Sequence, residues 1–329
     1  MATAFFVAKR ENLWYYFLKG TSPLKSCIKA GLGMFNEEMK KDAEKYGIEY
    51  YKKGRVLVWH DEFDKDEIDY DKWVFHRTMS GTDRIYDNGL DNARIVDGNL
   101  LLQCHRTDDP ERPFTLSEGI TTKYTMNWKY GYLEMRAKIP FRHGAWPSFW
   151  TQSSTVFQKT PWMCETDIFE VFSSDRHAVA NLHKWGKGVH CMLPGGEGSL
   201  KRAYTFEKWE NLNDEYHVYG YEWDPEYMTF YVDGEEFAKF PIDPVKGNFG
   251  YEVIDGVMGF HDFQFIIVND EIFTEQSRWK PEGAALNDED KLPIDYYIDW
   301  MRLYQNPEKE EIKLKPEIDA VRAAQEENK

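Results

Sequence analysis

Gly131-Tyr-Leu-Glu-Met-Arg-Ala-Lys-Ile139 alternates without a break, with Leu133, Met135, Ala137 and Ile139 on one side and Tyr132, Glu134, Arg136 and Lys138 on the other. A repeat of two residues is the signature of a strand with one apolar and one polar face. Similar runs recur from Val56 onward, at Val56–Asp61, Arg94–Gln103, Trp146–Thr151, Thr166–Phe172, Ala178–Trp185, His217–Asp224, Met228–Val232, Phe263–Val268 and Tyr296–Gln305. Turn residues separate them, and Asp233-Gly234 is a tight-turn pair. Many short strands spaced in this way predict an all-β sandwich of two antiparallel sheets.

The flanks differ in texture. Residues 1–55 have helical character, with a cap expected at Asn36 and Met39, Ala43 and Tyr46 at helix-like spacing. They are expected to form a small helical extension packed on the β domain of residues 56–306. Residues 307–329 are charged and lack aromatics, which predicts a tail that is a short helix or frayed end.

Composition narrows the function. Aromatic residues make up 16% of the chain, more than one core requires, which favours a protein that stacks flat side chains on sugar rings. The formal charge of −16 repels phosphate backbones and argues against nucleic acid as a partner. No stretch approaches the length of a membrane span. Cys27, Cys104, Cys164 and Cys191 show no metal-type spacing and are expected to be isolated thiols. Ala4–Ala8 is too short for a signal-peptide core and runs into Lys9, Arg10 and Glu11. The expectation is a monomeric, cytoplasmic protein, or a secreted one if the natural chain begins further upstream.

The chemistry is concentrated in Trp162–Ser173, WMCETDIFEVFS, where three acids interrupt an otherwise apolar strand. Such placement costs several kcal/mol unless the charges are paired or used. In a regular strand Glu165 and Asp167 share a face and Glu170 lies opposite. A one-residue bulge near Ile168–Phe169 would return Glu170 to the same face. Two glutamates about 5–5.5 Å apart meet the requirement for retaining glycoside hydrolysis, one attacking the sugar and the other protonating the leaving oxygen. Asp167 between them could hold a proton toward Glu165. Like charges this close would keep one glutamate protonated as the acid. A solvated strand edge and an oxygen-rich metal site remain as plain alternatives.

The neighbouring strands strengthen the catalytic reading. Trp146 and Trp150 share one strand face, and Asn181, His183 and Trp185 alternate on the strand that follows. Together they offer stacking rings, an amide and an imidazole beside the acids. His183 has no second His or Cys at ligand spacing and is not read as a transition-metal ligand.

Several of these segments, in this order, resemble glycoside hydrolase family 16, the laminarinases, lichenases, agarases, porphyranases and carrageenases. The likeness is carried by VWHDEFD at 58–64, VDGNLLL at 96–102, YGYLEMRAKIPFRHGAWPSFW at 130–150, ETDIFE at 165–170 and DYYIDWMRLYQ at 295–305. The resemblance implies a β-jelly roll, with Glu165 as nucleophile, Asp167 as assisting carboxylate and Glu170 as acid/base. Trp146, Trp150 and His183 would border the sugar, and Asn92 and Arg136 are further candidates. Asp299 and Glu62 match positions near a structural calcium found in many members; no cofactor is needed for the chemistry.

The implied activity is endo-hydrolysis of a β-1,3- or β-1,4-linked glucan, such as laminarin or mixed-linkage glucan. An endo-β-galactanase of agarase, porphyranase, carrageenase or mucin-directed type is the alternative. The segment Asn269–Trp279, NDEIFTEQSRW, replaces the Gly-Gly-x-Trp-like loop of laminarinases and favours that alternative. Transglycosylation, a non-catalytic jelly-roll lectin and an interaction protein are the other readings; the lectin would not need the acids.

Overall fold

The computed structural model describes residues 37–76, 84–86, 92–116, 119–154, 162–186, 189–190, 199–207, 211–242, 259–277, 280–309 and 311–314. Their strands form an eleven-stranded and a ten-stranded sheet. The strands pair antiparallel, with one parallel pairing between Arg84–Tyr86 and Phe114–Leu116.

The alternating run becomes the Gly131–Lys138 strand of the larger sheet, paired with His217–Trp223 and Ile294–Gln305. Its apolar side packs Leu133, Met135 and Ala137 into one core with Phe149, Ile168, Phe169, Ile266 and Val268 of the smaller sheet. Each such side chain contributes roughly 1.5–3 kcal/mol on burial. Gly131 opens the strand because a Cβ there would lie 2.6 Å from the carbonyl oxygen of Tyr304.

The expected strand Arg94–Gln103 is two strands, Ala93–Val96 and Asn99–Arg106. Asp97 and Gly98 both take positive φ, 50° and 73°, the two-residue turn that matches strand twist. Asp233-Gly234 makes the expected turn with φ of 50° and 82°.

The described parts of both flanks, residues 37–55 and 307–309 with 311–314, are built into the sandwich. A helix spans 37–46, and Ala43 and Ile48 join Leu57, Tyr132 and Tyr304 in a second cluster. Beneath it the buried carboxylate of Glu134 meets Lys52 at 2.6 Å. The helical expectation for residues 1–36, the cap at Asn36 included, lies outside the described residues. Among those described no helix is long and apolar enough to cross a membrane.

At the other end the tail does not stop at 306. Ile312–Leu314 pairs with Asn127–Lys129, and Glu311 just before it meets a buried cation. Arg55 Nε donates to both Glu311 oxygens at 2.9 and 3.0 Å and its Nη1 to Glu222 at 2.7 Å. Glu311→Ala leaves Arg55 its pair with Glu222 but removes the acceptor of its Nε, so it should destabilise the protein by about 1–3 kcal/mol. Urea unfolding against the parent measures it; a midpoint shift corresponding to less than about 1 kcal/mol would contradict the role.

Cys104 and Cys164 are both buried. Cys27 and Cys191 lie outside the described residues.

Candidate active site

Four adjacent strands of the smaller sheet carry the candidate residues: Ala145–Ser153, Trp162–Glu170, His177–Gly186 and Gln264–Ile272. On the acidic strand the pairing shifts where the bulge is expected. Asp167 faces Asn181 but Glu170 faces Val179, so two residues oppose one. On the other edge Asp167 faces Trp150 and Phe169 faces Phe149. Ile168 and Phe169 consequently both enter the core, 1% and 0% exposed. Glu165, Asp167 and Glu170 are all left on the outward face.

The acids are linked to one another and to His183. His183 Nε2 lies 2.9 Å from Asp167 Oδ2 and 4.0 Å from Glu165 Oε1. Asp167 and Glu170 share a hydrogen bond that favours the proton on Glu170. Burial is the main force lifting the Glu170 carboxyl, and the neighbouring Asp167 charge adds to it, to about 8. Burial also raises Asp167, opposed by the bond from Glu170. Ligand atoms of Glu165, Asp167 and His183 all lie within 4.8 Å of one another. Strand pairing, invisible in the residue spacing, thus creates a donor set that could also hold a cation.

Of the two tryptophans one is bonded to an acid and the other to an amide. Trp146 Nε1 donates to Glu170 Oε1 at 2.9 Å, and its ring stacks on Phe273 at 4.9 Å and 12°. Phe172 lies beside both. Trp150 Nε1 donates to Asn269 Oδ1 at 2.6 Å, and His76 meets its ring edge-on. Burial, helped by the charge of Lys123, lowers the His76 pKa to about 4, leaving the ring neutral at neutral pH. Asn181 is buried opposite Asp167. The side chain of Trp185 lies outside the described residues.

Asn269, Phe273, Phe172 and His76 were not singled out in the sequence. The strand expected to end at Val268 runs to Ile272. Asn269 to Ile272 therefore extend a strand instead of opening a loop. The signal available was a polar run, Asn269-Asp270-Glu271, continuing an apolar strand with no Gly or Pro to stop it.

Other expected residues belong elsewhere. Arg136 is on the larger sheet, with its neighbours Met135 and Ala137 in the core, so it points outward on that sheet. It pairs with Asp299 and lies over the Tyr216 ring. Asn92 is buried, and its amide donates to the carbonyl of Leu116, a framework contact. The calcium pair is also corrected. Glu62 receives two hydrogen bonds from Arg302 and one contact from His60, and Asp299 is neutralised by Arg136. Carboxylates already neutralised by arginines do not fit a calcium site.

Two cavities of about 250 and 520 Å³ occur elsewhere, lined by Phe141, Arg176 and Asn211 to Asp214 and by His105, Arg106 and Asp290 to Pro293. Neither has a wall from the acidic strand. The carboxylates lie along one sheet face.

Comparisons agree with this geometry. A family profile described as Glycosyl hydrolases family 16 matches residues 84–253, just over half of the chain. A beta-glucanase of Rhodothermus marinus is 28% identical over 263 residues, covering 76% of this chain and 85% of that protein. A keratan-sulfate endo-1,4-beta-galactosidase of Sphingobacterium multivorum is 24% identical over 256 residues, covering 76% and 55%. The laminarinase catalytic domain from Thermotoga maritima superposes with a TM-score of 0.60 at 25% identity, covering 77% of this chain and 98% of that one. The chain spans about a third of the length of two further curated relatives that it matches.

Proposed function

Because the chain belongs to the glycosyl hydrolases of family 16, we propose that it is a retaining endo-β-glycanase with Glu165 as nucleophile and Glu170 as acid/base. The observation that carries this reading is the bulge at Ile168–Phe169, which puts three acids on one sheet face. Burial and the Asp167 charge keep one of them protonated.

A Glu165 carboxylate oxygen attacks the anomeric carbon, and the bond to the leaving sugar oxygen breaks as Glu170 delivers its proton there. The product is a glycosyl ester with Glu165. Glu170, now ionised, removes a proton from water as that water attacks the same carbon, releasing Glu165 and restoring the original configuration. Asp167 holds its hydrogen bond with Glu170, and its charge raises the acid's pKa. Trp146 orients Glu170 through Nε1.

A β-1,3- or β-1,4-glucan is the first substrate class, supported by the likeness to the beta-glucanase and the laminarinase. The likeness to the keratan-sulfate galactosidase and the segment NDEIFTEQSRW at 269–279, in place of a Gly-Gly-x-Trp-like loop, support a β-galactan as the second. The test is incubation with laminarin, lichenan, agarose, porphyran, carrageenan, keratan sulfate and mucin glycans, with products read by mass spectrometry. Oligosaccharides of intermediate length from one class, unaffected by EDTA, are expected. Binding without new reducing ends in every case would favour a lectin, and abolition by EDTA would show a metal requirement, for which Glu165, Asp167 and His183 are a candidate donor set.

A further inference from the structure

Resting on the glycanase reading above, we propose that Asn269 is a positioning residue for Trp150, fixing the plane of the indole that borders the sugar. Asn269 and Ser148 are directly paired across two strands, and Ser148 is paired in turn with Glu170. The acid, Ser148 and Asn269 therefore occupy one rung of the sheet, with two strand spacings, about 10 Å, between its ends. Trp150 lies opposite Asp167 on the neighbouring rung.

An indole N–H can only donate, so the contact of Trp150 Nε1 at 2.6 Å identifies the accepting end of the Asn269 amide. The same oxygen accepts the Ser148 hydroxyl at 2.9 Å. Two donors occupy both lone pairs of the carbonyl, which sets the side chain's orientation. The Trp150 ring is thereby held at its N–H, while His76 meets it at 5.5 Å and 80°. An indole immobilised before the sugar arrives loses little conformational freedom on binding, and a group locked by hydrogen bonds behind it is what keeps such a platform in place.

The prediction separates this role from a direct sugar contact. Asn269→Ala removes the acceptor and should raise KM about tenfold, the size of one lost hydrogen bond, with kcat changed less than about threefold. Asn269→Asp keeps an accepting oxygen and should restore KM to near the parent value. The comparison is made at about pH 6, where a carboxyl titrating near 8 stays protonated, so the added charge does not disturb Glu170. Trp150→Phe, which loses the N–H together with part of the stacking surface, should raise KM at least as much as Asn269→Ala, and adding Asn269→Ala to it should cost little more.

A second readout is independent of activity. The indole N–H resonance of Trp150, assigned by its loss in Trp150→Phe, should move upfield toward the value of an unbonded indole in Asn269→Ala and keep a hydrogen-bonded, downfield position in Asn269→Asp. An unmoved resonance in Asn269→Ala would overturn the proposal. So would Asn269→Asp failing as Asn269→Ala does, because the role would then belong to the amide nitrogen. If the parent cleaves no glycan while the resonances behave as expected, the glycanase reading fails and the indole lock stands.

Discussion

Replacing Glu165 with alanine is expected to lower kcat by roughly 10⁴-fold or more on whichever glycan the protein cleaves, a loss of the size seen when a nucleophile is removed. The fold should survive, because Glu165 points away from the core that holds Cys164 and Thr166. Added azide should restore part of the rate, since a small anion can occupy the space left by the carboxylate and attack the anomeric carbon. Its product should carry inverted configuration, because only one displacement has occurred, and proton NMR of the glycosyl azide reads this directly. Near-parent activity in the variant would remove Glu165 from the mechanism.

Glu170→Gln should cost about 10²–10⁴-fold in kcat on polysaccharide, the range for losing a general acid. The loss in the glycosylation step should be much smaller with an aryl glycoside whose leaving group needs no proton. In the parent, kcat/KM should fall as pH rises through about 8, where Glu170 loses its proton, and the residual rate of the variant should lack that limb. Stability gives an independent check. The carboxyl titrates near 8 in the folded protein against an ordinary value of 4.5, so the folded state binds the proton more tightly. Its contribution is complete below about 4.5 and is lost as pH climbs through about 8. Glutamine has nothing to ionise. Thermal melts should therefore show the variant about as stable as the parent at acid pH and clearly more stable near pH 9; equal melting at both would contradict the buried-acid assignment.

The legible parts of the sequence were those governed by local periodicity. Leu133, Met135 and Ala137 announced an inward strand face and are in the core. The interval from Asp167 to Glu170 announced a bulge and the pairing contains it. Contacts between residues far apart in the chain were not legible. Nothing local to Asn269 reveals that Trp150 and Ser148 donate to it, or that Phe273 lies flat on Trp146. Nor does Arg136 reveal its sheet: the period of two says which side a residue takes, not which sheet carries the strand. Glu62 and Asp299 matched a calcium pattern by position, yet Arg302 and Arg136 reach them from other strands. Glu311 looked like tail charge until Arg55, 256 positions away, supplied its partner.

The extra residue at Ile168–Phe169 carries a lesson about parity. Two side chains that must act together on one sheet surface ordinarily stand an even number of positions apart, yet Glu165 and Glu170 are separated by five. An odd interval between cooperating groups on a strand is consequently a readable mark of an insertion in the ladder. The tally of residues between the acids then has as much meaning as their identity: changing it by one would exchange inside for outside for everything beyond, whatever amino acids were kept.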